Sequence, residues 1–132
     1  MDNVKNKQSL VYALVGDAVE SLVLRKHFAI TTDLNPNAIT RVINKIVNAK
    51  AQAESFRLIE ESLTSEEKDV AKRARNTHTH STAKNYSVID YRYATAFEAV
   101  LGYLYLNDRK ERIDEILEVV LVGFQNGKIG SF

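Results

Sequence analysis

The sequence predicts an all-α fold, and three observations carry that expectation. Apolar residues recur at helical spacing along almost the whole chain. Only one proline and five glycines interrupt 132 residues, which leaves few natural breaks. No alternating apolar–polar pattern of the kind a half-buried strand needs is found.

The first helix is expected from about Gln8 to His27, with Leu10, Leu14, Val15, Ala18, Leu22 and Val23 among its apolar positions. Thr31, Thr32, Asp33 and Asn35 supply cap chemistry for a second helix, and Pro36 suits its first turn. That helix is expected over Asn37 to Ser62, in one piece or two. Thr64 followed by Glu67 forms a capping-box pattern and opens a helix to about Arg75. The polar run from Asn76 to Ser87 reads as a loop. A long apolar helix spans Val88 to Leu106. Asp108 with Glu111 repeats the capping-box pattern, opening a last helix to about Phe124, and the tail NGKIGSF is expected to fray. No repeat or linker divides the chain, so one helical domain is expected over residues 1–132.

Composition bounds the function. The 45% apolar and 27% charged fractions are those of a globular protein. No apolar run approaches the ~18 residues of a membrane span, and the opening MDNVKNKQ lacks the apolar segment of a secretory signal. With no cysteine, disulfides, thiol catalysis and Cys-ligated zinc are excluded. A cytoplasmic protein is expected. The net charge of +1 is uninformative, but its distribution is not. Lys72, Arg73, Arg75 and Lys84 fall in a stretch without a single acid, together with His78 and His80. Charge alone serves a phosphate-binding loop and a solvated loop equally well. The two histidines, in a polar loop, read as ordinary loop residues rather than metal ligands. Tyr91, Tyr93, Tyr103 and Tyr105 read as core or dimer-interface residues before base-stacking ones.

Two carboxylates stand out. On a helical wheel Asp17 shares a face with Leu10, Ala13, Leu14, Glu20, Ser21 and Leu24, and Glu98 with Tyr91, Ala94, Thr95, Leu101, Gly102 and Tyr105. An acid on an apolar stripe needs a cation, a donor or a proton. An arginine such as Arg25 or Arg92 could supply the first, a raised pKa the last. A shared divalent cation is the third option, because Mg²⁺ takes oxygen ligands and keeps several waters. Ala13, Gly16 and Ala18 on one helix, with Ala94, Ala99 and Gly102 on the other, would let the two helices cross closely enough to share one ion.

At these residues the chain resembles a known family. LVGDAVESLVLRKHF (residues 14–28) is similar to the signature helix of the ribonuclease III family, and YRYATAFEAVLGYLYL (residues 91–106) to its second acidic helix. NAKAQAE (48–54) and KRARN (72–76) resemble the compact Mini-ribonuclease III branch, and the four segments occur in the right order. The resemblance implies a ribonuclease III-like helical endonuclease domain, acting as a homodimer on double-stranded RNA with Mg²⁺ as cofactor. It also implies a role in maturing the large-subunit (23S) ribosomal RNA precursor. Asp17 and Glu98 match the family's metal-binding and catalytic acids. Leu10, Ala13 and Thr95 stand where full-length ribonuclease III carries further acids, a thinning shared by the compact branch. Where the family usually places a glutamate, four residues after the first acid, this chain has Ser21, with Glu20 beside it. Glu20 therefore inherits no catalytic role, and at most an outer contact through water.

No double-stranded RNA-binding domain is expected after the nuclease unit. Lys72, Arg73 and Arg75 at a helix end, with Lys84 in the adjoining loop, are the candidate RNA-backbone contacts, and Lys50 is a weaker one. The competing readings are a non-catalytic RNA-binding relative, an all-α Mg²⁺-dependent nucleotide pyrophosphohydrolase, and a helical interaction adaptor. The pyrophosphohydrolase would present closely spaced acids of the ExxE kind, whereas each helix here offers one matched acid.

Overall fold

The computed structural model describes residues 2–77 and 87–130, with side chains from residue 8. Six helices account for most of them: α1 (Asp2–Thr31), α2 (Pro36–Ile46), α3 (Ala49–Ile59), α4 (Ser65–Asn76), α5 (Val88–Leu106) and α6 (Lys110–Gln125), with a 3-10 turn at Glu60–Ser62. No strand occurs among the described residues. The fold is all-α, as expected.

Side-chain caps place most boundaries. The Asn35 side chain accepts from the Ala38 N–H at 2.9 Å, with Pro36 opening α2. Asn48 separates α2 from α3 by acting on both: its amide donates to the Asn44 carbonyl, and its oxygen accepts from the Ala51 N–H, each at 2.9 Å. The expected second helix is thus two. Thr64 and Glu67 form the reciprocal capping box that their spacing predicts.

Two expectations at the C-terminal end are overturned. Asp108 does not cap α6, whose N-cap position is Arg109 without a side-chain bond. Instead Asp108 adopts the left-handed conformation (φ 57°) and ends α5. Its N–H donates to the Tyr105 carbonyl and the Arg109 N–H to the Leu104 carbonyl, the two bonds of a Schellman closure. Nor does the tail fray over residues 126–130, and Ser131 and Phe132 lie outside the described residues. Gly127 (φ 76°) closes α6 in the same way, and the chain returns to bury Ile129 in the core. The Gly130 N–H then donates to the Glu54 carboxylate at 3.1 Å.

Helix α5 is the axis of the fold and packs against α1, α3, α4 and α6. Ala94 to Phe97, Ala99 to Gly102 and Leu104 are all buried, so α5 is covered on nearly every side. Phe97, Leu101 and Leu104 join Leu24 of α1, Phe56 and Ile59 of α3, and Ile113, Ile116 and Leu117 of α6 in the main core. Arg112 ties α6 to α4 by donating twice to the buried Glu67 carboxylate, at 3.0 and 2.9 Å, and to the Ser62 carbonyl. No helix among the described residues is long and apolar enough to cross a membrane.

Candidate active site

The site is built where α1 crosses α5, and two glycines make the crossing possible. A Cβ on Gly16 would overlap the Glu98 carbonyl oxygen and sit 2.6 Å from its carbon. A Cβ on Gly102 would overlap the Tyr12 carbonyl in the same manner. The two backbones therefore touch, and Asp17, the residue after Gly16, is carried to the side of Glu98.

Glu98 is partly buried, and burial pushes its pKa from 4.5 to about 9. That value includes smaller upward pushes from the Asp17 charge, a hydrogen bond shared with Asp17 and the Glu20 charge, and an opposing one from the Gln52 amide. Glu20, one turn after Asp17, is wholly buried. Burial raises its pKa to about 8, against a hydrogen bond from Gln52 and with help from the Asp17 charge. Gln52 reaches in from α3, and its Nε2 donates to Glu20 Oε1 at 2.9 Å. Glu20 Oε2 is buried without a hydrogen-bond partner. Asp17 itself is exposed.

The wheel therefore misplaced one acid. Asp17 lies at the solvent edge, and the acid that α1 buries is Glu20. Among the described residues the ion pairs are Arg57–Asp90, Arg73–Asp69, Arg109–Glu66 and Arg112–Glu67, so neither Arg25 nor Arg92 neutralises Asp17, Glu20 or Glu98. In the metal-free molecule protons do so, on Glu98 and Glu20. A cation is the alternative to those protons, and the donors suit one: hard oxygens, brought together, with no basic side chain between them. No group of three or more His, Asp or Glu side chains able to hold a metal occurs among the described residues. Any ion here would take few protein ligands and keep open positions for water and substrate.

The described residues of the basic segment do not line one cleft. Arg73 pairs with Asp69 at 3.2 Å and lines a cleft with Ser9, Tyr12, Glu66, Val70 and Tyr103. Lys72 and Arg75 line a separate recess with Phe56, Glu60 and Lys68. Arg75 and Arg57 both lie over the Tyr93 ring, 5.9 and 5.0 Å from its centroid, and Tyr93 stacks on Phe56. Tyr93 and Tyr103 are thus packing residues, and Tyr105 is exposed. Lys84, His78 and His80 lie outside the described residues. Sequence reasoning missed Gln52 and gave Glu20 no firm role; the only available signal for Gln52 was its place in NAKAQAE.

The ribonuclease III domain model matches residues 10–109, which include both crossing helices. The chain belongs to the ribonuclease III family. It is 46% identical over 109 residues to the Mini-ribonuclease 3 of Brevibacillus brevis, covering 83% of this chain and 81% of that protein. It is 39% identical over 132 residues to the Mini-ribonuclease 3 of Enterococcus faecalis, covering 97% and 100%. A crystal structure of a Fusobacterium nucleatum protein superposes with a TM-score of 0.78 at 33% identity, over 87% of this chain and 92% of that one. The all-α architecture is the family's, and membership makes the chain an endoribonuclease.

Proposed function

We propose that residues 1–132 form one nuclease unit that hydrolyses double-stranded RNA with Mg²⁺ held by Asp17 and Glu98. The observation that carries this reading is the glycine crossing. It sets the exposed Asp17 beside the partly buried Glu98, and neither acid has an ion-pair partner among the described residues. A bound Mg²⁺ would acidify a water and draw charge from the scissile phosphate. Asp17, exposed, is the acid that incoming solvent and phosphate reach first. Glu98 behind it would hold the ion as the carboxylate. With so few protein ligands, the RNA phosphate would complete the site. Duplex RNA offers little sequence in its deep major groove, so Lys72, Arg73, Arg75 and Lys84 would read backbone and shape.

A homodimer supports cleavage of both strands, since one chain supplies one pair of acids. On α1, Leu10, Val11, Leu14 and Leu22 are exposed, Leu14 by 73%, and Leu10 and Leu14 share a face with Asp17. A second copy covering that stripe would bring two sites onto one face. In the cell the substrate would be the cytoplasmic precursor of large-subunit (23S) ribosomal RNA.

The test is direct. Duplex RNA, single-stranded RNA and nucleoside triphosphates are each incubated with the protein in Mg²⁺ or EDTA. Only duplex RNA should be cut, and only with Mg²⁺. Asp17→Asn and Glu98→Gln should each abolish cleavage while preserving the helical circular-dichroism spectrum. Full activity in either variant removes that residue from the site.

A further inference from the structure

Glu20 and Gln52 are the part of this cluster that the proposed chemistry leaves unused. A wholly buried carboxyl with one oxygen unpaired is costly, and a leucine of similar volume would remove that cost. Its one partner comes from another helix, 32 residues away in sequence, and is itself 5% exposed. Gln52 is a hydrogen-bonding neighbour of Glu98 as well as of Glu20. A primary amide has two N–H groups on one nitrogen. With one engaged on Glu20 Oε1 at 2.9 Å, the amide can turn only about that bond, which narrows the directions open to the other.

We propose that Glu20 and Gln52 form a positioning couple for the cation site, in which Glu20 locks the Gln52 amide and Gln52 holds the Glu98 carboxylate toward Asp17. The inference rests on the reading of Asp17 and Glu98 as the Mg²⁺ ligands. Neither member of the couple touches the reacting atoms. Their contribution is to stop Glu98 from turning away from Asp17 when it ionises, which the repulsion between the two acids would otherwise favour. The couple joins α1, α3 and α5 at one point, so the site depends on a helix that carries none of its ligands.

The experiment uses Glu20→Leu, Glu20→Gln and Gln52→Leu in the full chain, with MgCl₂ as the probe and no RNA. Melting temperature is followed against MgCl₂ concentration, and the Mg²⁺ requirement of duplex cleavage is measured alongside. Glu20→Leu removes the unpaired buried oxygen and, with it, the acceptor of the buried Gln52 amide, so its melting in EDTA should change little. Yet it should need on the order of tenfold more Mg²⁺ for half its thermal shift and half its cleavage rate, the scale of loss expected when an outer partner of a ligand is removed. Gln52→Leu should show the same rise in Mg²⁺ requirement. Glu20→Gln keeps an oxygen that can accept from Gln52 and should restore most of the affinity.

A purely structural couple gives lower melting in EDTA for Glu20→Leu with an unchanged Mg²⁺ midpoint. An unchanged midpoint, or a Glu20→Leu chain that does not fold, overturns the proposal. A wild type whose melting and cleavage both ignore Mg²⁺, with Asp17→Asn indistinguishable from it, would instead refute the cation reading and this proposal with it.

Discussion

Glu98→Gln in the metal-free protein tests the electrostatics of the site without any assay of cleavage. In the unfolded chain this carboxyl releases its proton near 4.5, whereas burial and the neighbouring Asp17 hold the proton to about 9 in the folded state. Between those values the folded protein binds a proton that the unfolded chain has lost, so stability falls as pH rises. The contribution is fully present below 4.5 and is lost as pH climbs through about 9. One pH unit is worth about 1.4 kcal/mol, so at pH 7 Glu98 alone has removed about 3 kcal/mol relative to acid solution. A glutamine does not titrate and carries no such dependence. For a domain of this size the difference amounts to roughly 10 °C in melting temperature.

Thermal unfolding in EDTA, followed by circular dichroism from pH 5 to pH 8, reads the effect. The wild type should lose stability steadily across the range. Glu98→Gln should fall more gently and melt higher near neutrality. Some slope should remain, because Glu20, held up to about 8 by its burial, still titrates in both proteins. Mg²⁺ should stabilise the wild type most at the alkaline end and leave the variant nearly unmoved. Parallel curves for the two proteins would refute the idea that Glu98 is held protonated by its surroundings.

Three further outcomes are expected. Gly16→Ala drives a methyl into the Glu98 carbonyl, where backbone must move, and should cost about 3 kcal/mol or more; an unchanged melting temperature would contradict the backbone crossing. Arg73→Ala combined with Arg75→Ala, in an Asp17→Asn background that cannot cut, should weaken duplex RNA binding and reduce its logarithmic salt slope by about one to two. Equal affinity and slope would make that helix end a solvated surface. Arg112→Met leaves the buried Glu67 carboxylate without its partner and should cost about 3 kcal/mol. Adding Glu67→Gln should recover part of the loss, and strict additivity in denaturant titrations would refute the coupling.

The helices were legible because their signals are local. Apolar spacing gave α5 its bounds, and Thr64 with Glu67 gave the start of α4, since a cap and its partner lie within one turn. The Asp108 reading failed for a related reason: an aspartate just before a helix serves equally well as a left-handed residue ending the previous one, and only the Leu104 and Tyr105 carbonyls decide. The tail was misread because Ile129 and Gly130 are anchored by residues far back in sequence, Gly130 on Glu54. The acids show the same limit. α1 has two apolar faces, one in the core through Ala13, Val19 and Leu24, the other exposed through Leu10, Leu14 and Leu22. A wheel cannot rank them, and it took Asp17 for the buried acid when Glu20 holds that place.

The pair Asp17 and Glu98 was nevertheless visible, and the glycines are the reason. Two long side chains can meet in many ways, but two helices whose backbones touch can meet in very few. Gly16 and Gly102 fix the axial register and the spacing of α1 against α5 with no side chain between them. Asp17, adjacent to Gly16, and Glu98, whose carbonyl Gly16 meets, flank the same contact and inherit that register. Their separation is therefore set by close-packed backbone, whose displacement would disturb the core around Phe97 and Leu101. Packing free energy of the whole domain thus opposes the repulsion that the two carboxylates meet once Glu98 loses its proton, which on loose side chains would drive them apart. A small residue before an acid says little in one helix; matched by a small residue one turn after an acid in another, it specifies a place where two acids are kept together whether or not a proton lies between them.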